Sequence, residues 1–449
     1  MNSSQHSDIR GGETTPLREI VRRHKSGEHV GITSVCSAHP LVLQAALEHA
    51  QETGGTVLIE ATSNQVDQTG GYTGLRPTDF RDLVHRIADA TSLPRERVIL
   101  GGDHLGPNRW RALVPEEAMA HADELVRAYV SAGFTKIHLD CSFPCAGDPT
   151  PLTDELVAQR SARLIAVAEG TAGPDARNRL DYVIGTEVPV PGGAHETLDI
   201  LTPTSPDAAK HTLRAHREAF AGRGLDSVWP RVAALVVQPG VEFDHQQVIA
   251  YRPLAARELS AVLDQETTMV FEAHSTDYQM ESALSELVRD HWAILKVGPQ
   301  LTFALREALF GLAAIEDELV PEAQRSQLKA VLEQRMLAEP GQWDGYYTGT
   351  ALEQRVLRRY SYSDRLRYYW PDDAVHEAQE RLLANLSALT IPLPLISQHL
   401  PAQYQHVRDG MLQPQPEPLA LDHVKDVLRT YAAACSTAAT STTTQEMSA

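Results

Sequence analysis

Between residues 28 and 312 the chain repeats one pattern eight times: a short apolar run rich in Val, Ile or Leu, then a polar or glycine-containing turn, then a helical stretch. The runs are Val30–Val35, Thr56–Ile59, Val98–Gly102, Lys136–Leu139, Tyr182–Thr186, Val232–Val237, Met269–Ala273 and Trp292–Val297. Runs that are apolar throughout, without alternation, mark strands buried on both faces, and the helical stretch after each supplies the crossover that parallel strands need. Eight such units close most economically into an α/β fold, a (β/α)8 TIM barrel of about 280 residues. A doubly wound open sheet is the rival.

The connecting stretches carry helical spacing. Leu43, Ala46, Leu47 and Ala50 fall on one face after Ser37 and Pro40, and Gly54-Gly55 stops the helix. Ala118, Ala122, Leu125, Val126 and Tyr129 form a second stripe, and Leu301, Ala304, Leu305, Ala308, Leu309 and Leu312 a third. Beyond residue 312 the period is helical, with no strand. The organisation expected is a flexible N-terminus over 1–16, a barrel over 17–312, a C-terminal helical appendage over 313–434 and a disordered tail over 435–449. Tyr360 to Trp370 concentrates aromatics and arginines; it reads either as an amphipathic segment at a helix or subunit interface, compatible with a homo-oligomer, or as a loop reaching into the barrel mouth.

Composition removes several function classes. Forty basic residues against 59 acidic ones give 449 residues a net charge of −19, which argues against sequence-independent nucleic-acid binding. No apolar run approaches the roughly 18 residues that span a bilayer, so no membrane segment is expected. Cys36, Cys141, Cys145 and Cys435 form no CxxC pair, which points away from a disulfide framework and toward a reducing cytoplasm.

Barrels of this kind place their chemistry at the C-terminal ends of the strands. Here those ends are strongly polar. The first two carry Ser34 and Glu60, with Ser63, Asn64 and Gln65 in the turn; the third carries Asp103-His104, the fourth His138-Leu-Asp140-Cys-Ser142 and the fifth Glu187. The sixth ends in Gln238-Pro-Gly, the seventh in Glu272-Ala-His274-Ser275-Thr276-Asp277 and the eighth in Lys296-Val-Gly298. A mouth holding Asp103, Asp140, Glu187 and Glu272 gathers four carboxylates, whose mutual repulsion calls for protonation or a bound cation. A divalent metal with imidazole and carboxylate ligands suits zinc, manganese, cobalt or nickel. Neighbouring Asp103 and His104 share one site only where the strand is ending, which the flanking glycines allow; His104 then reads as a metal ligand and Asp103 as an acid/base group. The alternative is an Asp capping the turn beside a surface His. Ser275, Thr276, Asp277, Lys296 and Gly298 form a candidate anion cradle, although Lys296 reads equally as a barrel-interior ion pair. The loops Gly70–Gly74 and Pro189–Gly193 read as covers for a substrate.

Taken together, Gly31–Cys36, Leu58–Gln65, Gly70–Gly74, Gly101–Pro107, His138–Ser142, Glu272–Asp277 and Tyr360–Arg365 resemble the non-catalytic Z subunit of class II D-tagatose-1,6-bisphosphate aldolase, over residues 17 to 430. That family has also carried the label tagatose 6-phosphate kinase and includes metal-dependent 4-epimerases of ketohexoses and ketohexose phosphates. More distantly the chain is similar to class II aldolases. There the resemblance implies Asp103 as acid/base, His104 and His274 as metal ligands, Glu187 near the metal and Ser142 near the substrate. Where those aldolases carry another metal-binding His after the sixth strand, this chain has Gln238, so the implied ligands are His104 and His274 with Glu187 or Gln238. A substrate of ketohexose or ketohexose-phosphate type is implied, as is either epimerase activity or service as a partner of a class II aldolase catalytic subunit.

The chemistry expected is cleavage of the bond between carbons 3 and 4 of a ketose, with Asp103, Asp140 or Glu272 taking the carbon 4 hydroxyl proton. Re-forming the bond after rotation of the aldehyde inverts carbon 4. No P-loop or kinase-type glycine loop is present to support phosphoryl transfer.

Overall fold

The computed structural model describes residues 14–185 and 201–436. Its strands are β1 (Ile32–Cys36), β2 (Val57–Thr62), β3 (Val98–Leu105), β4 (Lys136–Leu139), β5 (Asp181–Ile184), β6 (Val232–Val236), β7 (Glu242–Phe243), β8 (Val248–Ile249), β9 (Val270–Ala273) and β10 (Trp292–Val297). All eight expected runs form strands, and they close as a parallel barrel in the order β1-β10-β9-β6-β5-β4-β3-β2. The antiparallel pair β7 and β8 is an addition after β6 that the apolar pattern did not signal.

Alternation along each strand sorts side chains into two compartments. One set, including Val35, Ile59, Leu100, Ile137, Leu235, Phe271 and Leu295, packs outward against the helices. The other set, Ile32, Leu58, Ile99, Val183, Ala234, Val270 and Ile294, fills the lower barrel interior. Leu17 and Val21 of the helix Pro16–Lys25 close that interior from below. Thr15 caps this helix, and its hydroxyl donates to Asp181 at 2.5 Å while Arg18 pairs with the same carboxylate at 2.7 Å, fixing the plug to β5.

His39 caps the helix Pro40–Thr53 by accepting from the Leu41 N–H; Gly54 ends that helix at φ 72°. The boundary expected at residue 312 falls inside a single helix, Pro299–Leu319. The last helix, Pro416–Cys435, packs against β1 and against the helices Pro40–Thr53, Glu281–Arg289 and Pro299–Leu319, as part of the barrel wall. Cys435, assigned to a tail, accepts from the Gly31 N–H at 2.9 Å, and Ser436 bridges to Val30. The intervening helices Leu328–Ala338, Ala351–Tyr360 and Asp373–Ser387 form the outer helical part. No helix among the described residues is long and apolar enough to cross a membrane.

Candidate active site

Above the apolar plug the same inward positions become charged. Glu60 on β2, Lys136 on β4, Glu272 on β9 and Lys296 on β10 are all buried. Lys136 lies 2.5 Å from Glu60 and 2.7 Å from Glu272. Lys296 lies 3.3 Å from Glu60, 3.2 Å from Glu272 and in contact with Asp103. Burial alone would raise the Glu272 pKa, but the two ammonium groups override it and hold the carboxyl well below its usual range. Both lysines are likewise shifted up against burial by these carboxylates. Gly101 on β3 makes the layer possible, since a Cβ there would stand 2.7 Å from the Glu60 Cγ.

One turn higher sit the imidazoles. The register slips between Gly102 and Leu105, and His104 adopts φ 49°, so Asp103 and His104 both reach the barrel axis, as the strand-end argument required. His104, His138, His274 and Asp103 each offer a ligand atom within 4.8 Å of one another, and all four are buried. Asp140 holds His104 Nδ1 at 2.7 Å, leaving Nε2 toward the cluster; Ser142 fixes Asp140 through its hydroxyl at 2.9 Å. His138 Nδ1 lies 2.7 Å from Asp103, and His274 Nε2 lies 3.1 Å from Glu272. Burial and the neighbouring Lys296 push the His274 pKa down to about 3, so it is neutral. Burial opposes the charge of the His104 imidazole in turn, yet Asp103 and Asp140 raise its pKa.

The cluster opens into a cavity of about 520 Å³, within the usual range of small-molecule sites. Of the expected site residues, Asp103, His104, Asn64, Gln65, His274, Ser275, Asp277, Lys296 and Gly298 line it. Others are placed elsewhere. Gln238 Oε1 accepts from the Gly240 and Val241 N–H groups at 2.8 and 3.0 Å, shaping its own loop. Asp140 and Glu272 stand behind the imidazoles they hold, with no face on the cavity. Ser34 is bound to Glu60, Ser63 to the His104 carbonyl and Thr276 to the Lys296 carbonyl, all as scaffold. Asp277 accepts from the Gly298 and Gln300 N–H groups at 3.0 and 2.8 Å, so the expected anion cradle already holds a carboxylate. Glu187 and the loop Pro189–Gly193 lie outside the described residues.

Lys136 and Lys296 neutralise part of the charge of the inward-facing carboxylates. Two residues went unassigned in the sequence, His138 and Lys136. Their signal was there: Lys136, His138 and Asp140 occupy alternate positions and so share the inward face of β4. Arg367, Tyr368 and Trp370 line the cavity, which favours the second of the two readings of their segment, a loop reaching the barrel mouth. Tyr72 and Thr73 of the Gly70–Gly74 loop meet them there, the two tyrosine rings edge to face at 4.8 Å.

Residues 17–436 match the family described as D-tagatose-1,6-bisphosphate aldolase subunit GatZ/KbaZ-like. A crystal structure from Sinorhizobium meliloti 1021, described as a probable tagatose 6 phosphate kinase, is 51% identical, with a TM-score of 0.84 over 90% of this chain and 100% of that one. Fructose-bisphosphate aldolase from Campylobacter jejuni is 13% identical with a TM-score of 0.43, covering 82% of this chain and 91% of that one. The YdjI aldolase from Escherichia coli K12 is 11% identical with a TM-score of 0.40, covering 81% and 94%. With a family match across nearly the whole chain, this protein belongs to the GatZ/KbaZ-like family of D-tagatose-1,6-bisphosphate aldolase subunits.

Proposed function

We propose that the chain is a metal-dependent 4-epimerase of ketohexoses or ketohexose phosphates, interconverting fructose-type and tagatose-type sugars. The observation that carries this reading is the set His104, His138, His274 and Asp103, of which His104, His274 and Asp103 line the cavity and His138 is fully buried against Asp103. The donors fit a divalent ion such as zinc, manganese, cobalt or nickel. His104 is held by a carboxylate through its far nitrogen, the arrangement that orients imidazoles toward metals. Glu60, Glu272, Asp103 and Asp140 against Lys136 and Lys296 leave a formal charge of −2 when the imidazoles are neutral, matched by one divalent cation.

Such an ion would polarise the carbonyl and adjacent hydroxyl of the ketose. Asp103 is the carboxylate that faces the cavity beside it; burial opposes its charge, but His104 and Lys296 hold its pKa well below the usual carboxylate range and keep it ionised. It takes the carbon 4 hydroxyl proton as that oxygen becomes an aldehyde; the electrons of the C3–C4 bond pass into the three-carbon half as an enediolate. Residues on the cavity wall, including Tyr72 and Asn64, retain the aldehyde. After the aldehyde turns, carbon 3 attacks its other face and Asp103 returns the proton, giving the inverted alcohol. Releasing the halves would instead be aldol cleavage. The four cysteines are unbridged, which suits a cytoplasmic setting.

Purified protein supplied in turn with manganese, nickel, cobalt and zinc is expected to interconvert fructose and tagatose, or their phosphates, by NMR. His274→Ala should lower turnover by at least about 100-fold, the scale of losing an orienting or ligating group. No conversion with any metal sinks the epimerase reading. The family description as an aldolase subunit favours a second reading, an accessory chain, and turnover that appears only with a class II aldolase partner would establish it.

A further inference from the structure

The helix Pro299–Leu319 follows β10 at the barrel mouth, with Gly298, Pro299 and Thr302 on the cavity wall. The start of a helix takes up an oxyanion through the N–H groups that its own backbone leaves over. Here none is left over. Pro299 has no N–H, the Leu301 N–H donates to the Gly298 carbonyl at 3.0 Å, and the Gly298 and Gln300 N–H groups donate to Asp277 Oδ1 at 3.0 and 2.8 Å. The Thr302 hydroxyl donates to Asp364 at 2.6 Å. Among the cations nearby, Lys296 is shared by Asp103, Glu60 and Glu272, and half-buried Arg367 acts on both the Asp277 and the Asp364 carboxylates.

Asp277 is only half satisfied. It is 3% exposed and lines the cavity, and both amide bonds fall on Oδ1, so Oδ2 has no hydrogen-bond partner in another described residue. Burial raises its pKa to about 6 against the amides that lower it, which leaves it ionised above neutral pH. Glu242 adds a second buried carboxyl near it, pushed up to about 7 by burial first and in part by the Asp277 charge. A carboxylate with one oxygen tied and the other free accepts from a hydroxyl and repels a phosphate. The strand order also says which end of a sugar meets it. In the ring of eight, β9, which leads into Asp277, stands directly across from β3, which carries Asp103. A ketose whose carbon 4 hydroxyl meets Asp103 therefore extends its carbon 1 end toward the Asp277 side.

We propose that Asp277 is a specificity-determining residue that selects ketoses with a free carbon 1 hydroxyl: Oδ2 accepts that hydroxyl, and the carboxylate, seated on the helix start, keeps a carbon 1 phosphate out. This rests on the epimerase reading for the sugar and its orientation, and adds the discrimination at carbon 1. A ketose 1,6-bisphosphate is excluded from the cavity for the same reason.

The test is isothermal titration of the manganese-loaded full chain at pH 8 with fructose, fructose 6-phosphate and fructose 1-phosphate. The two phosphates carry equal charge and differ only in which end is blocked. The wild type is expected to bind the tighter of the two carbon 1-free ketoses at least about 100-fold more tightly than fructose 1-phosphate, the scale of a like-charge clash. D277S, which removes the charge and frees the Gly298 and Gln300 amides, should shrink that preference by about 10- to 100-fold, the scale of a hydrogen bond to a charged group. If D277S does not fold, D277N replaces it: its side-chain carbonyl still accepts from both amides, and loss of the charge should shift the preference the same way. A wild type that binds fructose 1-phosphate as tightly as the other two, or binds none of the three, overturns the proposal. So does a folded variant whose preference is unchanged, even where all three ligands weaken together, since that outcome makes Asp277 scaffold alone. Because the readout is a ratio of binding constants, a shifted preference without turnover would sink the epimerase and spare Asp277; turnover with an unchanged preference would do the reverse.

Discussion

Lys136 has no solvent exposure and lies between Glu60 and Glu272, and its contribution is felt mainly when it is removed. Lys136→Met would leave two buried carboxylates to share Lys296 with Asp103. Breaking a buried pair by removing one partner costs about 3–5 kcal/mol, because the remaining charge is desolvated without compensation. We expect K136M to lower the unfolding free energy read from urea melts by that amount, with a lower midpoint, and K136M/E60Q to recover part of it. A K136M midpoint equal to the wild type's would remove the ion layer as a structural element. The layer was only half legible in the sequence. Alternation on β4 put Lys136 and His138 on the inward face, but their partners depend on register between strands far apart in the chain. Gly101, aligned with both Glu60 and Lys136, leaves the space in which they meet. Gln238 is the opposite case: a polar residue at a strand end that serves its own loop through Oε1.

Among elements, the helix Pro16–Lys25 shows how a flank becomes part of the barrel. Its amphipathic face supplies Leu17 and Val21 to the interior, and at its C-terminal end His24 sits against His291. Nδ1–H of His24 donates to the Val30 carbonyl at 3.0 Å, so Nε2 accepts from His291 Nδ1 at 2.9 Å. Burial, with the positive neighbours Lys25, His29 and His291, pushes the His24 pKa down to about 4. In the unfolded chain the same imidazole titrates near 6.5. The folded state therefore binds fewer protons between those values, and stability present above pH 6.5 is lost as pH falls toward 4. The shift corresponds to at most about 3 kcal/mol. Urea midpoints measured from pH 7 to pH 4.5 should fall, and His24→Asn should flatten that fall; an unchanged slope in H24N would assign the acid sensitivity elsewhere.

Over the whole molecule, eight apolar runs were enough to specify eight strands, because a strand covered on both faces needs no partner information to announce itself. The path after residue 312 was less legible. A helical period says that a segment is a helix, whereas its place in the wall is decided by packing between surfaces distant in sequence. The helix Pro416–Cys435 is the clearest instance. Its Tyr431 hydroxyl donates to the Thr276 carbonyl at 2.8 Å, and the Thr276 hydroxyl donates to the Lys296 carbonyl at 2.5 Å, so the end of the chain supports the strand that carries Lys296. Lys425 reaches Glu48 and Glu52, both at 2.7 Å, tying the same helix to Pro40–Thr53. An appendage could be deleted from a folded barrel; a wall helix could not. Truncation before Pro416 would expose the apolar faces of three barrel helices and free the Gly31 N–H that Cys435 satisfies. The truncated chain should lose its near-UV circular dichroism and cooperative melting. Tyr431→Phe, which removes only the hydroxyl, should fold and cost about 1 kcal/mol, the usual net worth of a buried hydrogen bond. A truncated chain that melts cooperatively within a few degrees of the full chain would restore the appendage reading, and with it a barrel that ends at its eighth strand and the helix after it.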